Sequence, residues 1–188
     1  AQAVREAHAA GQLAFGENYI QEGVDKIASL ADLPLEWHCI GPIQSNKSKL
    51  VAENFAWVHS IDRLKIAERL SAQRPAHLPP LQICLQVNVD GGNNKSGVTP
   101  SELLELAQAV AKLPHLQLRG LMTIPEPAAN ELAARTVHRQ AKELFDSLNA
   151  AGLKLDTLSM GMTADLEAAI AEGSTCLRVG TAIFGARQ

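Results

Sequence analysis

Strand-like and helix-like stretches alternate along the whole chain, and this order constrains the fold more than any other feature. Residues 81–89 form an almost continuous β-rich apolar run, as expected for a strand that is covered on both faces. A polar, glycine-rich loop follows, and then a helix opened by Thr99-Pro100-Ser101-Glu102, a capping box with proline at the first helical position. No hairpin signal joins two strands, so the order predicts parallel βαβ units.

The strand count predicts an α/β barrel. A (β/α)8 barrel needs eight strands and roughly 200 residues or more. The sequence predicts seven strands and begins inside a helix, so we expect a single barrel domain over residues 1–188 whose first strand precedes Ala1. The predicted strands lie at residues 13–15, 37–40, 55–61, 81–89, 118–124, 157–160 and 176–185. The predicted helices lie at residues 1–10, 18–30, 45–54, after Asp62, after Thr99, and at 129–150 and 163–172.

Composition excludes several functional classes. The chain has 188 residues, 46% of them hydrophobic, which suffices for one sizeable core. A net charge of −3 does not favour binding to nucleic acid or to an acidic membrane, and no signal peptide or run of about 18 apolar residues occurs. Three cysteines, Cys39, Cys84 and Cys176, lie in strand-like runs without zinc-type spacing. They predict reduced thiols and a cytoplasmic location.

The last strand-like run carries the strongest candidate site. Arg178 precedes Gly180 by two residues, so both lie on one strand face, about 6.6 Å apart at the usual strand rise. A glycine permits close backbone approach, and the hydroxyls of Thr181 and Ser159 can contact a phosphate. The pattern indicates a phosphate-bearing ligand at the end of the barrel where strands 7 and 8 finish. The alternative is an arginine paired with a buried carboxylate and a glycine used only for a turn.

Other polar or adaptable residues have structural alternatives that the sequence leaves open. His38 is either a site residue or a core histidine with satisfied hydrogen bonds. Met160 is either a wall of the ligand site or ordinary apolar packing. Asp165 and Glu167 are interpreted as first-turn charges that the helix dipole favours.

Several motifs together resemble one protein family, in order and over nearly the whole chain. The matching segments are Phe15-Gly-Glu-Asn-Tyr19 with Gln21-Glu22, Trp37-His-Cys-Ile-Gly-Pro-Ile-Gln-Ser-Asn-Lys47, Lys95-Ser-Gly97, Arg119-Gly-Leu-Met122, Leu158-Ser-Met-Gly-Met162 and Arg178-Val-Gly-Thr-Ala-Ile-Phe-Gly185. With these segments the chain is similar to the pyridoxal phosphate homeostasis protein family (the YggS/PROSC family). This resemblance implies an alanine-racemase-like barrel that binds pyridoxal 5'-phosphate (PLP) and lacks an additional C-terminal β-domain.

The resemblance also implies roles for individual residues. Arg178 matches the arginine that faces the pyridine nitrogen, and Asn18 and His38 match positions near the ring. The residues that match positions around the phosphate, with a methionine of the same motif, are Ser159, Met160, Gly161, Gly180 and Thr181.

Two departures from the family pattern limit this transfer. Thr163 stands where serine is common, and a threonine is expected to preserve a helix cap there. The family's Schiff-base lysine belongs to the first strand, so the resemblance places it before Ala1. Lys95 does not replace it, because the family has a lysine at that position in addition to the anchor. No catalytic residue and no metal ligand is therefore named within residues 1–188.

The resemblance implies intracellular PLP buffering and delivery, with little or no catalysis. An arginine has no acceptor, so it donates to an unprotonated pyridine nitrogen, whereas PLP is the best electron sink when that nitrogen is protonated. We expect PLP, and apo forms of PLP-dependent enzymes, as partners of a monomer. The runner-up is an amino-acid racemase, which needs a second acid/base residue; the only tyrosine is Tyr19. A sugar-phosphate barrel enzyme without PLP is a third alternative.

Overall fold

The computed structural model describes residues 1–92 and 96–186, and seven parallel strands form its single sheet in chain order, β1 to β7. Each strand pairs with the next one along the chain, so β1 and β7 lie at the two edges. The parallel order predicted from the sequence is confirmed. The strands are β1 (Ala14–Glu17), β2 (Glu36–Cys39), β3 (Trp57–Ile61), β4 (Leu81–Gln86), β5 (Leu116–Met122), β6 (Thr157–Met162) and β7 (Cys176–Arg178).

A helix follows every strand, which is the arrangement that parallel neighbours require. A short 3₁₀ helix at Ser45–Lys47 leads into the third α-helix. The helices are α1 (Gln2–Ala9), α2 (Ile20–Ser29), α3 (Ser48–Asn54), α4 (Leu64–Gln73), α5 (Pro100–Ala111), α6 (Glu131–Ala150), α7 (Leu166–Ala171) and α8 (Thr181–Phe184).

The sheet curls so that distant strands meet across its interior. His59 of β3 and Ser159 of β6 form a hydrogen bond of 2.8 Å although 100 residues separate them. On the outer side, helices cover the strands: Ile66, Ala67 and Leu70 of α4 recur at helical spacing and are buried in the main hydrophobic cluster. The result is a nearly closed barrel with one polar interior and an apolar layer between strands and helices.

The end of the chain differs from its prediction. The predicted strand over residues 176–185 is a strand only at Cys176–Arg178, and α8 follows at Thr181–Phe184. The backbone N–H groups of Ile183 and Phe184 both donate to the carbonyl of Gly180, so the β-rich composition is overridden by a helical turn. Similarly, β4 ends at Gln86 rather than at residue 89, and α7 begins at Leu166 rather than at 163.

Two predicted helix caps are wrong in detail. Thr99 occupies the N-cap of α5 with Pro100 in the first turn, but its hydroxyl bonds to the Glu102 carboxylate instead of to a backbone N–H. Arg63, not Asp62, occupies the N-cap of α4, and it makes no side-chain cap bond. Helix α5 begins at Pro100, as expected, and α4 begins at Leu64, one residue later than a cap at Asp62 would place it.

The three cysteines lie in strands, as predicted. Cys39 and Cys84 are buried, Cys176 is half-buried, and all three are free thiols. Burial raises the pKa of the Cys39 thiol to about 12. Within the described residues, none of the helices combines the length and apolar character that a membrane crossing needs.

Candidate functional site

Arg178 is the last residue of β7 and lies at the carboxyl end of the barrel. Its Nη1 donates to Ser159 Oγ at 2.7 Å, and its Nη2 donates to the carbonyl oxygen of Thr123 at 2.7 Å. Burial lowers the pKa of the Arg178 guanidinium, but an arginine remains charged at neutral pH. The alternative of an arginine paired with a buried carboxylate is therefore not what the structure shows. Neutral acceptors on β6 and after β5 hold it.

A fully buried hydroxyl adjoins this arginine. Thr123 Oγ1 has no hydrogen-bond partner among the described residues, although the carbonyl of the same residue holds Arg178. Buried polar atoms are nearly always paired, because an unpaired one costs about 1–3 kcal/mol. The sequence places Thr123 among the residues at the strand ends that could form a site, but it assigns no specific role to this threonine. Its position directly after β5, at the end where barrels place ligands, was the available signal.

His59 belongs to the site although it was not predicted from the sequence. Its Nδ1 lies 2.8 Å from Ser159 Oγ and its Nε2 lies 2.8 Å from His38 Nδ1. Burial, together with the neighbouring His38 and Arg178, lowers the pKa of His59 to about 3. The ring is therefore neutral at neutral pH. The available signal was that His59 lies inside a buried strand. The alternation of side chains along a strand does not show which residue such a histidine contacts.

His38 is buried, and both of its ring nitrogens have hydrogen-bond partners. Its Nε2 lies 2.8 Å from Glu36 Oε1, and burial lowers the pKa of His38 while Glu36 opposes that shift. The imidazole stacks on Trp57 with 5.2 Å between ring centroids, and the Arg119 guanidinium lies 4.8 Å from the Trp57 ring. His38 thus bridges Glu36 and His59, as a core histidine with satisfied hydrogen bonds does.

The loop after Gly161 is fixed by Asp165. Gly161 has a φ of +97°, in the region that favours glycine. Asp165 Oδ1 accepts from the Met162 N–H at 2.8 Å, and Asp165 Oδ2 lies 2.8 Å from His138 Nε2. The interpretation of Asp165 as a mere first-turn charge is wrong. The carboxylate ties the loop to α6.

Thr163 joins the two loops that were predicted to surround a phosphate. Its Oγ1 accepts from the Ala182 N–H in α8 at 3.4 Å. The expected helix cap is not formed, because Asp165 occupies the N-cap of α7. Gly180 and Thr181, directly before and at the start of α8, are exposed next to this contact.

The remaining predicted site residues are spread around the barrel. Ser159 is fully buried and Met160, its neighbour, packs into the main hydrophobic cluster on the opposite strand face. Asn18 is exposed after β1, and its carbonyl oxygen would lie 1.9 Å from a Cβ added to Gly41. Lys95 lies outside the described residues. The structure therefore brings Ser159, Arg178, His59 and His38 together, whereas Met160 packs on the other face of β6.

Comparison with known proteins agrees with this geometry. The sequence profile of the family described as alanine racemase, N-terminal domain, matches residues 1–188. The pyridoxal phosphate homeostasis protein of Pseudomonas aeruginosa is 64% identical over 188 residues, which cover 100% of this chain and 80% of that protein. The pyridoxal phosphate homeostasis protein of Escherichia coli (strain K12) is 57% identical over 191 residues, covering 100% and 82% of the two chains.

A solved structure shares the fold closely. PipY of Synechococcus elongatus PCC7942, in its structure with PLP bound, superposes with a TM-score of 0.90 at 40% sequence identity, covering 98% of this chain and 87% of that one. This likeness confirms the prediction from the sequence that the barrel is of the alanine racemase N-terminal type. The chain belongs to the pyridoxal phosphate homeostasis protein family, and its fold is the barrel of the alanine racemase N-terminal domain.

Proposed function

We propose that this protein binds PLP at the carboxyl end of its barrel and serves to hold and deliver the cofactor. The observation that carries the proposal is the guanidinium of Arg178, fixed between Ser159 Oγ and the Thr123 carbonyl. Relatives that share 57–64% of their residues with this chain are named for PLP homeostasis, and PipY has been solved with PLP bound.

The residues present fit such a ligand. Two of the five N–H groups of Arg178 are taken up by Ser159 and Thr123, and an arginine suits a neutral ring nitrogen because it only donates. The unpaired hydroxyl of Thr123 lies on the same residue as one of these acceptors. We assign the phosphate to the two joined loops, at Gly161 and at the exposed Gly180 and Thr181.

The chemistry of the arginine favours holding of PLP over catalysis but does not exclude catalysis, because racemases of this fold use the same pairing. PLP acts as an electron sink most effectively when its pyridine nitrogen is protonated, which an acidic partner promotes. Arg178 offers only donors, so it favours the unprotonated nitrogen. A racemase would also need a second acid/base group. Tyr19, the only tyrosine, is exposed at the start of α2, and no observation favours it in that role.

The wider role is proposed in the same terms. The protein would buffer PLP as a cytoplasmic monomer and pass it to apo forms of PLP-dependent enzymes. The names of its relatives support the part of this role that concerns PLP homeostasis. Asn18, His38 and Met160 stay predicted cofactor-binding residues, with Met160 better suited to packing in the core.

Visible absorption with added PLP tests the proposal on the polypeptide in its natural length. We expect a bound-cofactor band that borohydride removes, and turnover of alanine or serine no faster than with free PLP. A protein without any such band contradicts PLP binding. Turnover far above free PLP instead assigns the barrel to a racemase-type enzyme.

A further inference from the structure

Five side chains form a continuous hydrogen-bonded series through the barrel interior, from its amino end to its carboxyl end. Glu36 lies at the start of β2 with half of its side chain exposed, and Arg178 lies at the end of β7. Between them the series runs Glu36 Oε1 to His38 Nε2, His38 Nδ1 to His59 Nε2, and His59 Nδ1 to Ser159 Oγ, each 2.8 Å, and ends at Arg178 Nη1, 2.7 Å away. We call the series Glu36–His38–His59–Ser159 the positioning chain.

The two ends of the positioning chain fix the direction of every hydrogen bond in it. A carboxylate accepts only, so His38 Nε2 carries a proton and donates to Glu36. A neutral imidazole has one donor and one acceptor, so His38 Nδ1 accepts from His59 Nε2–H. His59 Nδ1 is then the acceptor, and Ser159 must donate its hydroxyl proton to it.

The opposite set of hydrogen-bond directions fails at the contact between His38 and Glu36. If His59 Nδ1 donated to Ser159, His59 Nε2 would accept from His38 Nδ1, and a neutral His38 would face Glu36 with a lone pair at 2.8 Å. Only a doubly protonated His38 would avoid that repulsion. Burial lowers the pKa of His38 and of His59, which disfavours the charged ring at neutral pH.

The consequence reaches Arg178. With its proton committed to His59, the Ser159 hydroxyl presents a lone pair to Arg178 Nη1, while the Thr123 carbonyl accepts from Nη2. Two anchors define the plane of a guanidinium, whose side chain would otherwise lose rotamer entropy when the ligand orders it. The remaining N–H groups are then held in that plane.

We infer that Ser159, His59, His38 and Glu36 are positioning residues that hold Arg178 in the orientation in which it recognises the ligand's ring nitrogen. This inference rests on the proposed function and adds to it a role that these side chains exert through Arg178. Glu36 is the informative member, because it lies at the opposite end of the barrel from the site. A purely structural role would make Glu36 matter for stability alone.

Nitrogen-15 NMR of the histidine rings tests the hydrogen-bond direction without any ligand. We expect His38 and His59 to be neutral Nε2–H tautomers at neutral pH, assigned with His38→Gln and His59→Gln variants. In Glu36→Ala the constraint is removed, and we expect mixed tautomers at both rings. An Nδ1–H tautomer at His59 in the unaltered protein overturns the inference.

Equilibrium dialysis with PLP tests the effect on the site. In Glu36→Ala we expect PLP to bind about three- to tenfold more weakly, equivalent to the loss of one hydrogen bond. Glu36→Gln keeps an acceptor oxygen and should recover part of the affinity. Glu68→Ala, which removes an exposed carboxylate from α4, is the matched control and should bind as the unaltered protein does.

The outcomes separate the inference from the proposed function. Full PLP affinity in Glu36→Ala and Ser159→Ala, together with loss of affinity in Arg178→Ala, overturns the positioning chain and leaves PLP binding in place. Full affinity in Arg178→Ala overturns the proposed site itself, and the positioning chain with it. Because Glu36 is half exposed, its variants should fold. Their PLP affinity therefore tests the inference even if Ser159→Ala is too unstable to fold.

Discussion

Arg178 Nη1 donates to Ser159 Oγ at 2.7 Å, a bond between neighbouring strands that sets the arginine at the carboxyl end of the barrel. The second anchor is the Thr123 carbonyl, also at 2.7 Å. Neither acceptor carries charge, so the guanidinium keeps its charge for a ligand.

Replacing Arg178 by lysine should weaken PLP binding about tenfold or more, because an ammonium keeps the charge but cannot be held at two points in one plane. Dialysis measures the affinity, and urea unfolding shows that the barrel remains folded. Arg139→Lys is the control, because Arg139 is an exposed arginine that pairs with Glu172 between the outer helices, and this variant should bind PLP normally. Equal affinities of the two variants for PLP would contradict the role of the planar guanidinium of Arg178.

Gly161→Ala should lower the free energy of unfolding by about 2–4 kcal/mol, since it combines backbone strain with a steric clash. A Cβ there would lie 2.5 Å from Ala169 Cβ and 2.9 Å from Leu177 Cδ2. Gly152→Ala is matched for strain, with a φ of +100° but nothing within 4 Å, and should cost about 1–2 kcal/mol. Urea unfolding compares them, and identical losses would show that the clash is relieved.

Asp165→Ala should destabilise the protein by about 1–3 kcal/mol, because the Met162 N–H and the buried His138 lose their acceptor. Asp165→Asn retains one acceptor oxygen and should recover part of the loss. Glu167→Ala removes an exposed carboxylate from the same helix and should change stability by less than about 0.5 kcal/mol. Similar losses at both acidic residues would mean that Asp165 acts only through the helix dipole.

The buried histidines should make the protein less stable in mild acid. The pKa of His59 falls from 6.5 to about 3 on folding, so the unfolded chain binds the proton more readily. The free energy of unfolding therefore decreases as pH falls below about 6.5, by about 2 kcal/mol at pH 5 from this residue. The lowered pKa of His38 acts in the same direction.

Urea unfolding at about pH 7.5 and at about pH 5 measures this loss, a range that brackets the ordinary histidine pKa. His59→Gln cannot take up the proton and should show a smaller decrease, whereas His8→Gln, on α1, should not. Glu172, whose pKa Arg139 and Arg135 lower to about 2, contributes only in stronger acid. A His59→Gln variant that loses as much stability as the unaltered protein would show that His59 is not the cause.

The sequence predicts much of the fold because each strand is marked locally. All seven strands were placed in the correct order, and the adjacent strands β6 and β7 brought Ser159 close to Arg178 as expected. The last strand was predicted too long because Ile183 and Phe184 favour strands by composition. Their N–H groups instead bond to Gly180, which local propensity does not report.

The polar interior of the barrel was not predictable in the same way. Alternation along a strand shows which face a residue occupies, but not which residue meets it from the opposite wall. The contact of His59 with Ser159 joins residues 100 positions apart, and it depends on how the sheet curls. The roles of Asn18 and Met160 at the cofactor stay predictions.

Equilibrium dialysis of the natural-length polypeptide with PLP and with pyridoxal, which lacks the phosphate, tests the central claim most directly. We expect PLP to bind at least about tenfold more tightly than pyridoxal, and Arg178→Ala to weaken both ligands about equally, because the phosphate and the ring nitrogen are held by separate groups. Equal affinity for PLP and pyridoxal, or an Arg178→Ala variant that binds PLP as the unaltered protein does, would contradict the account.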